Sequence, residues 1–348
     1  MKYRPKIMLV TGGAGFIGSN FIRYMLRNDV NIHIVTLDKL TYAGSLDNLQ
    51  NLPDISRYTF VKGDICNRGL IDELLRDHSI DTIVHFAAES HVDRSIVSPA
   101  AFVETNVIGT FALLDAVRQY WLQEKGYDRN DCRFHHISTD EVYGTLQQED
   151  PAFTETTPYR PNSPYSASKA GSDHLVRSYF HTYGLPVVTT NCSNNYGPYQ
   201  HSEKFIPTII RSCMELKSIP VYGDGTNIRD WLYVEDHCRG IDTVLRNGAL
   251  GETYNIGGCN EWANIDIVRL ICRLMDDQRP RNAPHESLIS FVTDRPGHDW
   301  RYAMNAGKIM SELHWRPNET FETGIQKTLE WYLASKVQQP TSHVKYAD

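Results

Sequence analysis

Two adjacent acids, Asp140 and Glu141, follow a short apolar segment in the stretch FHHISTDEVYGTL. On an ordinary surface they would merely repel one another, so a solvated loop is one interpretation. The other is an acid and a base in one pocket, because two neighbouring carboxyls tend to hold different protonation states. Consecutive strand residues point to opposite faces. Both acids can therefore enter one pocket only where the strand ends and the backbone turns.

A tyrosine and a lysine, Tyr165 and Lys169, have the spacing Y-x-x-x-K within a helical pattern, which puts them on one helix face. An ammonium near the phenolic oxygen would lower the tyrosine pKa from about 10 toward working pH. Tyrosinate is a suitable base for a sugar hydroxyl. The spacing alone often arises by chance, and an exposed helix pair is the alternative. The nearby hydroxyls of Ser138 and Thr139 and an upstream glycine array make the pattern specific.

That glycine array consists of Gly12, Gly15 and Gly18, between an apolar segment and a helical pattern. Glycines permit a tight turn and a close approach to a pyrophosphate, and the helix N-terminus supplies N–H donors. The next apolar segment ends in Asp38, which would accept from a ribose 2′-OH and repel a 2′-phosphate. The sequence therefore predicts NAD rather than NADP. A glycine-rich turn without a ligand is the alternative.

Asp64 ends the third apolar segment, in KGDI. Its side chain could reach the adenine of the cofactor. It could equally cap the helix predicted over NRGLIDELL, since aspartate is a favoured N-cap residue.

The elements that position these residues alternate between strand and helix. The predicted strands are KIMLVTG, IHIVTLD, YTFVKGD, DTIVHFAA, RFHHIST and PVVTTNC, with GETYNIGG returning late to the sheet. Near-continuously apolar strands alternating with amphipathic helices indicate βαβ units. The fold class is α/β, a doubly wound (Rossmann-type) parallel sheet with a smaller C-terminal substrate-binding lobe. The predicted divisions are residues 1–193 for the NAD-binding domain with a returning segment near 234–262, 194–335 for the interleaved substrate lobe, and 336–348 for a tail.

Composition narrows the class of protein. The chain has 348 residues, 41% of them hydrophobic, with a formal net charge of −7. These values are typical of a globular protein and argue against nucleic-acid binding. No apolar run approaches the roughly 20 residues of a membrane span. Seven dispersed cysteines suit reduced thiols, so a cytoplasmic location is expected. No metal-ligand spacing is found.

Several motifs together resemble the extended short-chain dehydrogenase/reductases. They are the glycine array, DTIVHFAAESHVDRS, an asparagine at position 106, STDEVYG, Y-x-x-x-K and RDWLYVED. STDEVYG, NNYGPYQ and DRPGHDWRY are most similar to the members that dehydrate dTDP-glucose, a step toward deoxysugars such as the rhamnose of dTDP-rhamnose. The resemblance implies that C4 is oxidised, that Glu141 takes the C5 proton, that Asp140 protonates the leaving C6 hydroxyl, and that hydride returns to C6.

The resemblance also implies one set of catalytic residues and two sets of binding residues. The catalytic set is Thr139, Asp140, Glu141, Tyr165 and Lys169. The NAD set is Gly12, Gly15, Phe16, Ile17, Gly18, Asp38, Lys39, Leu40, Thr41, Asp64, Ile65, Ala87, Ala88, Ser90, Thr105, Tyr165, Lys169 and Asn195. The substrate set is His91, Thr139, Asp140, Glu141, Asn194, Lys204, Arg229, Asn264, Arg295 and His298. Asp236 is read as an N-cap or structural acid rather than a catalyst.

Two other functions stay open at this point. One is a dehydratase or epimerase acting on another nucleotide sugar, because base recognition depends on loops. The other is an NAD-binding scaffold that has lost its chemistry, against which the intact catalytic set argues. A homodimer is expected, because the patterns over 101–121 and 163–183 hold enough apolar residues for a second buried face and related enzymes pair two such helices from each subunit.

Overall fold

The central element of the computed structural model is a seven-stranded, fully parallel sheet. In spatial order its strands are β10 (Thr253–Ile256), β6 (Val187–Cys192), β5 (Arg133–Thr139), β4 (Thr82–His85), β1 (Ile7–Thr11), β2 (His33–Asp38) and β3 (Tyr58–Lys62). The structure describes residues 2–294 and 299–335. All seven strands predicted from the sequence lie in this sheet, and the predicted doubly wound α/β class is confirmed. The order reverses beside β1, where β2 and β4 flank it, and ligands bind at such a reversal in open α/β sheets.

The helices are α1 (Phe16–Asn28), α2 (Arg68–His78), α3 (Val92–Val97), α4 (Pro99–Phe102), α5 (Thr110–Val117), α6 (Pro164–Tyr183), α7 (Phe205–Glu215), α8 (Val234–Asn247), α9 (Asn264–Gln278), α10 (Gly307–Leu313) and α11 (Phe321–Ser335). Two π-helical segments, Val103–Gly109 and Arg118–Glu124, make α4 and α5 one continuous helix, Pro99–Glu124.

Side chains of β1 alternate between two hydrophobic layers. Met8 and Val10 face the layer formed by α1, α8 and α10, whereas Leu9 faces the layer formed by α2, α5 and α6. Both faces of each strand are thereby covered, which explains the uninterrupted apolar strand sequences.

A third hydrophobic cluster forms the smaller lobe. It joins α7, α9 and α11 to the short strands β7 (Asn194–Tyr196), β8 (Ile219–Tyr222), β9 (Ile228–Tyr233), β11 (Glu261–Ala263) and β12 (Ile289–Val292). The segment holding α8 and β10 leaves this lobe and packs on the main sheet. The division of the chain at residue 193 stays a prediction, and the predicted tail lies outside the described residues.

The helix Pro99–Glu124 corrects one sequence prediction. By length and composition alone it is apolar enough to cross a membrane, but half of its most apolar stretch is buried inside the protein. Polar residues such as Glu104 and Asp115 interrupt the apolar run, so the sequence shows no continuous span. Leu113, Val117 and Trp121 are fully buried against the sheet, as in the core helix of a globular protein.

Candidate active site

The turn between β1 and α1 is built around glycines that leave no room for a side chain. Gly12 has a φ of +71°, and a Cβ there would lie 2.6 Å from the backbone nitrogen of Ala87. A Cβ on Gly18 would lie 2.4 Å from the carbonyl oxygen of Gly12. Gly15 is the N-cap of α1 and offers no side-chain cap. The N-terminal N–H groups of α1 therefore face a close backbone cradle, which fits a pyrophosphate.

The acid predicted to hold the ribose lies at the end of β2. Asp38 accepts hydrogen bonds from the backbone N–H groups of Ala14 (2.9 Å) and Leu40 (2.8 Å). Burial raises the pKa of Asp38, and these two hydrogen bonds oppose the rise. The carboxylate is thus fixed beside the glycine turn, where a ribose hydroxyl is expected.

Asp64 lies on the same cleft, and the sequence alternative that it caps α2 is wrong. Asn67 is the N-cap, and its side chain accepts from the Leu70 N–H. Asp64 instead accepts from the Cys66 N–H at 2.9 Å and pairs with Lys39 at 2.7 Å. Its side chain is therefore available at the cleft rather than committed to the helix.

The catalytic acids lie where β5 ends. The strand stops at Thr139, and Asp140 begins the 3₁₀ turn Asp140–Tyr143. The Thr139 hydroxyl caps this turn by accepting from the Glu141 N–H at 3.3 Å, and it also lies 3.3 Å from Asp140 Oδ1. The predicted turn at the strand end is confirmed, and it brings Thr139 and both carboxyls to one cleft.

The two carboxyls have different surroundings. Asp140 is only 2% exposed, whereas Glu141 is half-buried. Burial, the Glu141 carboxylate and the buried Asp230 raise the pKa of Asp140 well above its ordinary value. Asp230 itself is held by the N–H groups of Gly258 and Asn260. Asp140 is therefore suited to keep a proton and donate it.

Tyr165 and Lys169 occupy the first turns of α6, beside Thr139. The Thr139 hydroxyl hydrogen-bonds the Tyr165 phenol, and the Lys169 ammonium donates to the Ile137 carbonyl at 2.8 Å. The predicted lowering of the Tyr165 pKa is wrong for the protein alone. Burial and the Glu141 carboxylate raise that pKa well above its ordinary value. Tyr165 thus holds its proton in the free protein.

Most predicted binding residues line one cleft along the carboxyl ends of the strands. Those that line it are Gly12, Gly15, Phe16, Ile17, Gly18, Asp38, Lys39, Thr41, Asp64, Ile65, Ala87, Ala88, Ser90, Thr105, Thr139, Asp140, Glu141, Tyr165, Lys169, Asn194, Asn195 and Lys204. Leu40 does not line the cleft and acts through its backbone bond to Asp38.

Three predicted substrate residues lie outside this lining. His91 is the N-cap residue of α3, without a side-chain cap bond, and its Nε2 lies 3.3 Å from Glu203 Oε2. Arg229 donates to the carbonyls of Ile228 and Asp299, although its positive charge is still felt by Asp140. Asn264 begins α9, with its N–H bonded to the Asn227 carbonyl. Arg295 and His298 fall outside the described residues.

The sequence did not single out several residues of the cleft. Ser193, Gln200 and His201 line it, and Asp230 and Asp173 lie behind it. The position of Ser193 directly after β6 is a usable signal, because strand ends meet at one edge of the sheet. Asp236 is structural as predicted, but it accepts from Asn318 and Glu319 rather than capping its helix. Within the described residues, no group of three or more His, Cys, Asp or Glu could hold a metal ion.

Comparisons with known proteins agree with this geometry. A family model described as GDP-mannose 4,6 dehydratase matches residues 9–328. A dTDP-glucose 4,6-dehydratase from Shigella flexneri is 55% identical over 336 residues, covering 94% of this chain and 93% of the relative. One from Xanthomonas campestris is 57% identical over 330 residues, covering 94% and 93%. The crystal structure of a Streptomyces venezuelae dTDP-glucose 4,6-dehydratase with NAD bound has a TM-score of 0.87 and 45% identity, covering 95% of this chain and 98% of that one.

Proposed function

The chain belongs to the GDP-mannose 4,6 dehydratase family, and on that premise we propose that it is an NAD-dependent hydro-lyase acting on dTDP-glucose. Its product is dTDP-4-dehydro-6-deoxyglucose, a precursor of deoxysugars such as the rhamnose of dTDP-rhamnose. The substrate follows from relatives of 53–57% identity, which are named dTDP-glucose 4,6-dehydratases.

The observation that carries the proposal is the pair of unlike carboxyls beside Tyr165. A protonated Asp140 and a more exposed Glu141 give one cleft an acid and a base. An epimerase needs no such pair, because it returns hydride to the carbon it oxidised and removes no hydroxyl. The pair therefore favours a dehydratase over an epimerase.

The residues around the glycine turn would hold NAD, with Gly12, Gly15 and Gly18 on the pyrophosphate and Asp38 on the ribose. When bound, NAD supplies the acceptor for a hydride from C4, the donor that returns it to C6, and a positively charged ring. The fit rests on the cradle that any Cβ at Gly12 or Gly18 would fill.

Tyr165 takes the proton of the C4 hydroxyl, and Thr139 orients that hydroxyl through the hydrogen bond it shares with the phenol. Because the pKa of Tyr165 is raised in the free protein, it becomes a base only when positive charge gathers around it. The Lys169 ammonium contributes part of that charge.

Elimination uses the two carboxyls once C4 is a ketone, because a ketone acidifies the C5–H. Glu141 takes the C5 proton and Asp140 donates its proton to the departing C6 hydroxyl, so that water leaves. The proton on Glu141 then returns to C5. The two acids exchange protons with the substrate in opposite directions, which requires the different protonation states that their burial favours.

We also propose that the protein is a homodimer and that it is located in the cytoplasm. The helix Pro99–Glu124 and the segment before it expose Val97 (86%), Val103 (51%), Ile108 (51%) and Phe111 (46%). Such a band of large apolar side chains is unusual on a monomer surface. A second copy of the same face would cover it isologously, as in a four-helix bundle.

Product masses test the function directly. We expect the protein to convert dTDP-glucose to a product lighter by one water, and to leave UDP-glucose and GDP-mannose largely unchanged. The Asp140→Asn variant is the matched control, since it keeps the shape of the cleft. An isobaric product, or an unchanged substrate in the presence of NAD, would contradict the proposal.

A further inference from the structure

A buried acid that the reaction scheme does not use lies directly behind the catalytic residues. Asp173 is on α6, one turn after Lys169, and is 6% exposed. Its carboxylate accepts from His136 Nε2 at 2.9 Å, from the Ser138 hydroxyl at 2.8 Å and from the Tyr159 hydroxyl at 3.0 Å. Burial opposes its ionisation, but His136, Lys169 and Ser138 outweigh burial and hold the pKa of Asp173 below its ordinary value.

Among the residues that the structure describes, few groups near the Lys169 ammonium can balance its charge. His85 from β4, His136 from β5 and Cys192 from β6 face it, and burial keeps all three neutral near pH 7. Its direct hydrogen bond is to the Ile137 carbonyl, which is a dipole and not a charge. Burial lowers the pKa of Lys169, and Asp173 is the strongest influence that opposes it.

We propose that Asp173 is a positioning residue for the oxidation step, acting as the buried counter-ion of Lys169 and tying the end of β5 to α6 through Ser138. Ser138 immediately precedes Thr139. The Asp173 carboxylate would therefore position both Thr139 and Lys169, the two residues proposed to act on Tyr165. The inference rests on the proposed function for its kinetic part only, because the charge pairing can be measured without substrate.

A charge pair between Asp173 and Lys169 would make the stability effect of Asp173→Asn depend on pH, whereas a purely hydrogen-bonding role of Asp173 would not. In Asp173→Asn the Lys169 ammonium is left buried without an anion. Its lowered pKa falls further, and stability rises as the lysine loses its proton, because the unfolded chain then binds more protons than the folded one. The deficit in melting temperature relative to the parent protein should therefore shrink between pH 7 and pH 9.5.

A second substitution identifies the cation. Adding Lys169→Met to Asp173→Asn removes the unpaired charge, so the deficit in melting temperature of this double variant relative to Lys169→Met alone should not vary with pH. Tyr159→Phe is the matched control, because it removes one hydrogen bond and leaves the carboxylate charged, and its deficit should not vary over this pH range. A deficit in Asp173→Asn that is equal at all pH values would overturn the counter-ion role.

The kinetic part uses single-turnover formation of NADH with dTDP-glucose. At high pH the rate should fall as Lys169 loses its proton, and in Asp173→Asn this fall should begin at a lower pH. The rate of the variant at pH 9 should then be lower by about tenfold for each pH unit by which the fall is shifted. Asp173→Glu should reverse part of this shift. An unchanged profile would overturn the positioning role, whereas a parent protein that forms no product would overturn the proposed function instead.

If Asp173→Asn fails to fold, the double variant Ser138→Ala/Tyr159→Phe can be used to test the charge of Asp173 instead. Removing two donors raises the pKa of Asp173, so the charge of the carboxylate is lost at a higher pH. The deficit in the stability of the variant relative to the parent should therefore be largest above pH 6 and shrink as pH falls through the raised pKa of Asp173. A pH-independent loss would contradict the inference.

Discussion

Asp140 is only 2% exposed whereas the adjacent Glu141 is half-buried, and the Asp140 Oδ2 atom is buried without a hydrogen-bond partner in the described structure. A buried carboxylate oxygen without a partner is costly, whereas a protonated one costs much less. The two acids are neighbours in the chain, yet the turn at the end of β5 buries one and leaves the other half-exposed. That difference is the basis for an acid and a base in one cleft.

Replacing the ionisable carboxyl of Asp140 by an amide should stabilise the protein. The folded pKa of Asp140 is raised above its unfolded value, so its contribution to stability is greatest at low pH and is lost as pH rises through the folded pKa. Asp140→Asn cannot ionise and should be more stable at pH 8 by about 1 kcal/mol, a typical gain at a strained functional position. Thermal unfolding at pH 4 and pH 8 checks this. The gain should vanish at pH 4, and a gain equal at both pH values would contradict the raised pKa.

Tyr165→Phe should block the first chemical step. Without the phenol the protein loses the group proposed to take the C4 proton, so NADH formation should slow by about 10² to 10⁴. Rapid-mixing absorbance with dTDP-glucose measures it. Tyr183→Phe is the matched control, because this tyrosine lies at the far end of the same helix, is 48% exposed and does not line the cleft, and it should retain most of the rate.

Asp38 should decide between the two nicotinamide cofactors. The proposed ribose contact puts its carboxylate close to the position of a 2′-phosphate, and two like charges at close range repel each other by about 1 kcal/mol or more. Asp38→Asn should therefore improve the affinity for NADP relative to NAD by about tenfold, as measured by calorimetric titration. Asp47→Asn changes an exposed acid nearby and should leave the ratio unaltered. An unchanged ratio in Asp38→Asn would assign the ribose contact elsewhere.

The exposed apolar face should control assembly. Phe111→Asp places a charge in the middle of the proposed four-helix contact, where burying it without a partner is unfavourable. We expect a dimer for the parent protein and a monomer for this variant, by light scattering at micromolar concentration. Val30→Asp alters an equally apolar but separate surface residue, 75% exposed, and should remain dimeric. A monomeric parent protein would contradict the dimer.

The sequence was sufficient for features that depend on neighbouring residues. The glycine turn, Asp38 at a strand end and the bend at Asp140 all follow from local rules of backbone geometry. The strands were equally readable, because a parallel sheet covered on both faces leaves uninterrupted apolar runs.

Features that depend on distant partners could not be read in the same way. The Asp173 carboxylate accepts a hydrogen bond from His136, a residue on another element. The Arg229 guanidinium donates to the carbonyl of Asp299, which is also distant in the chain. The pKa of Tyr165 depends on burial and on Glu141, neither of which the Y-x-x-x-K spacing reveals. Asn67 replaces Asp64 as the cap of α2 because the helix begins later than the sequence suggested.

The central claim is that Asp140 and Glu141 act after hydride transfer, and single-turnover NADH absorbance tests it most directly. In the parent protein NADH should scarcely accumulate, because water loss follows quickly. In Asp140→Asn and Glu141→Gln, NADH should form at a rate close to that of the parent and then persist, with water loss slower by about 10² to 10⁴. Glu141→Gln should also slow exchange of the C5 proton with solvent. Loss of NADH formation in Asp140→Asn as complete as in Tyr165→Phe, or full activity in both carboxylate variants, would contradict the account.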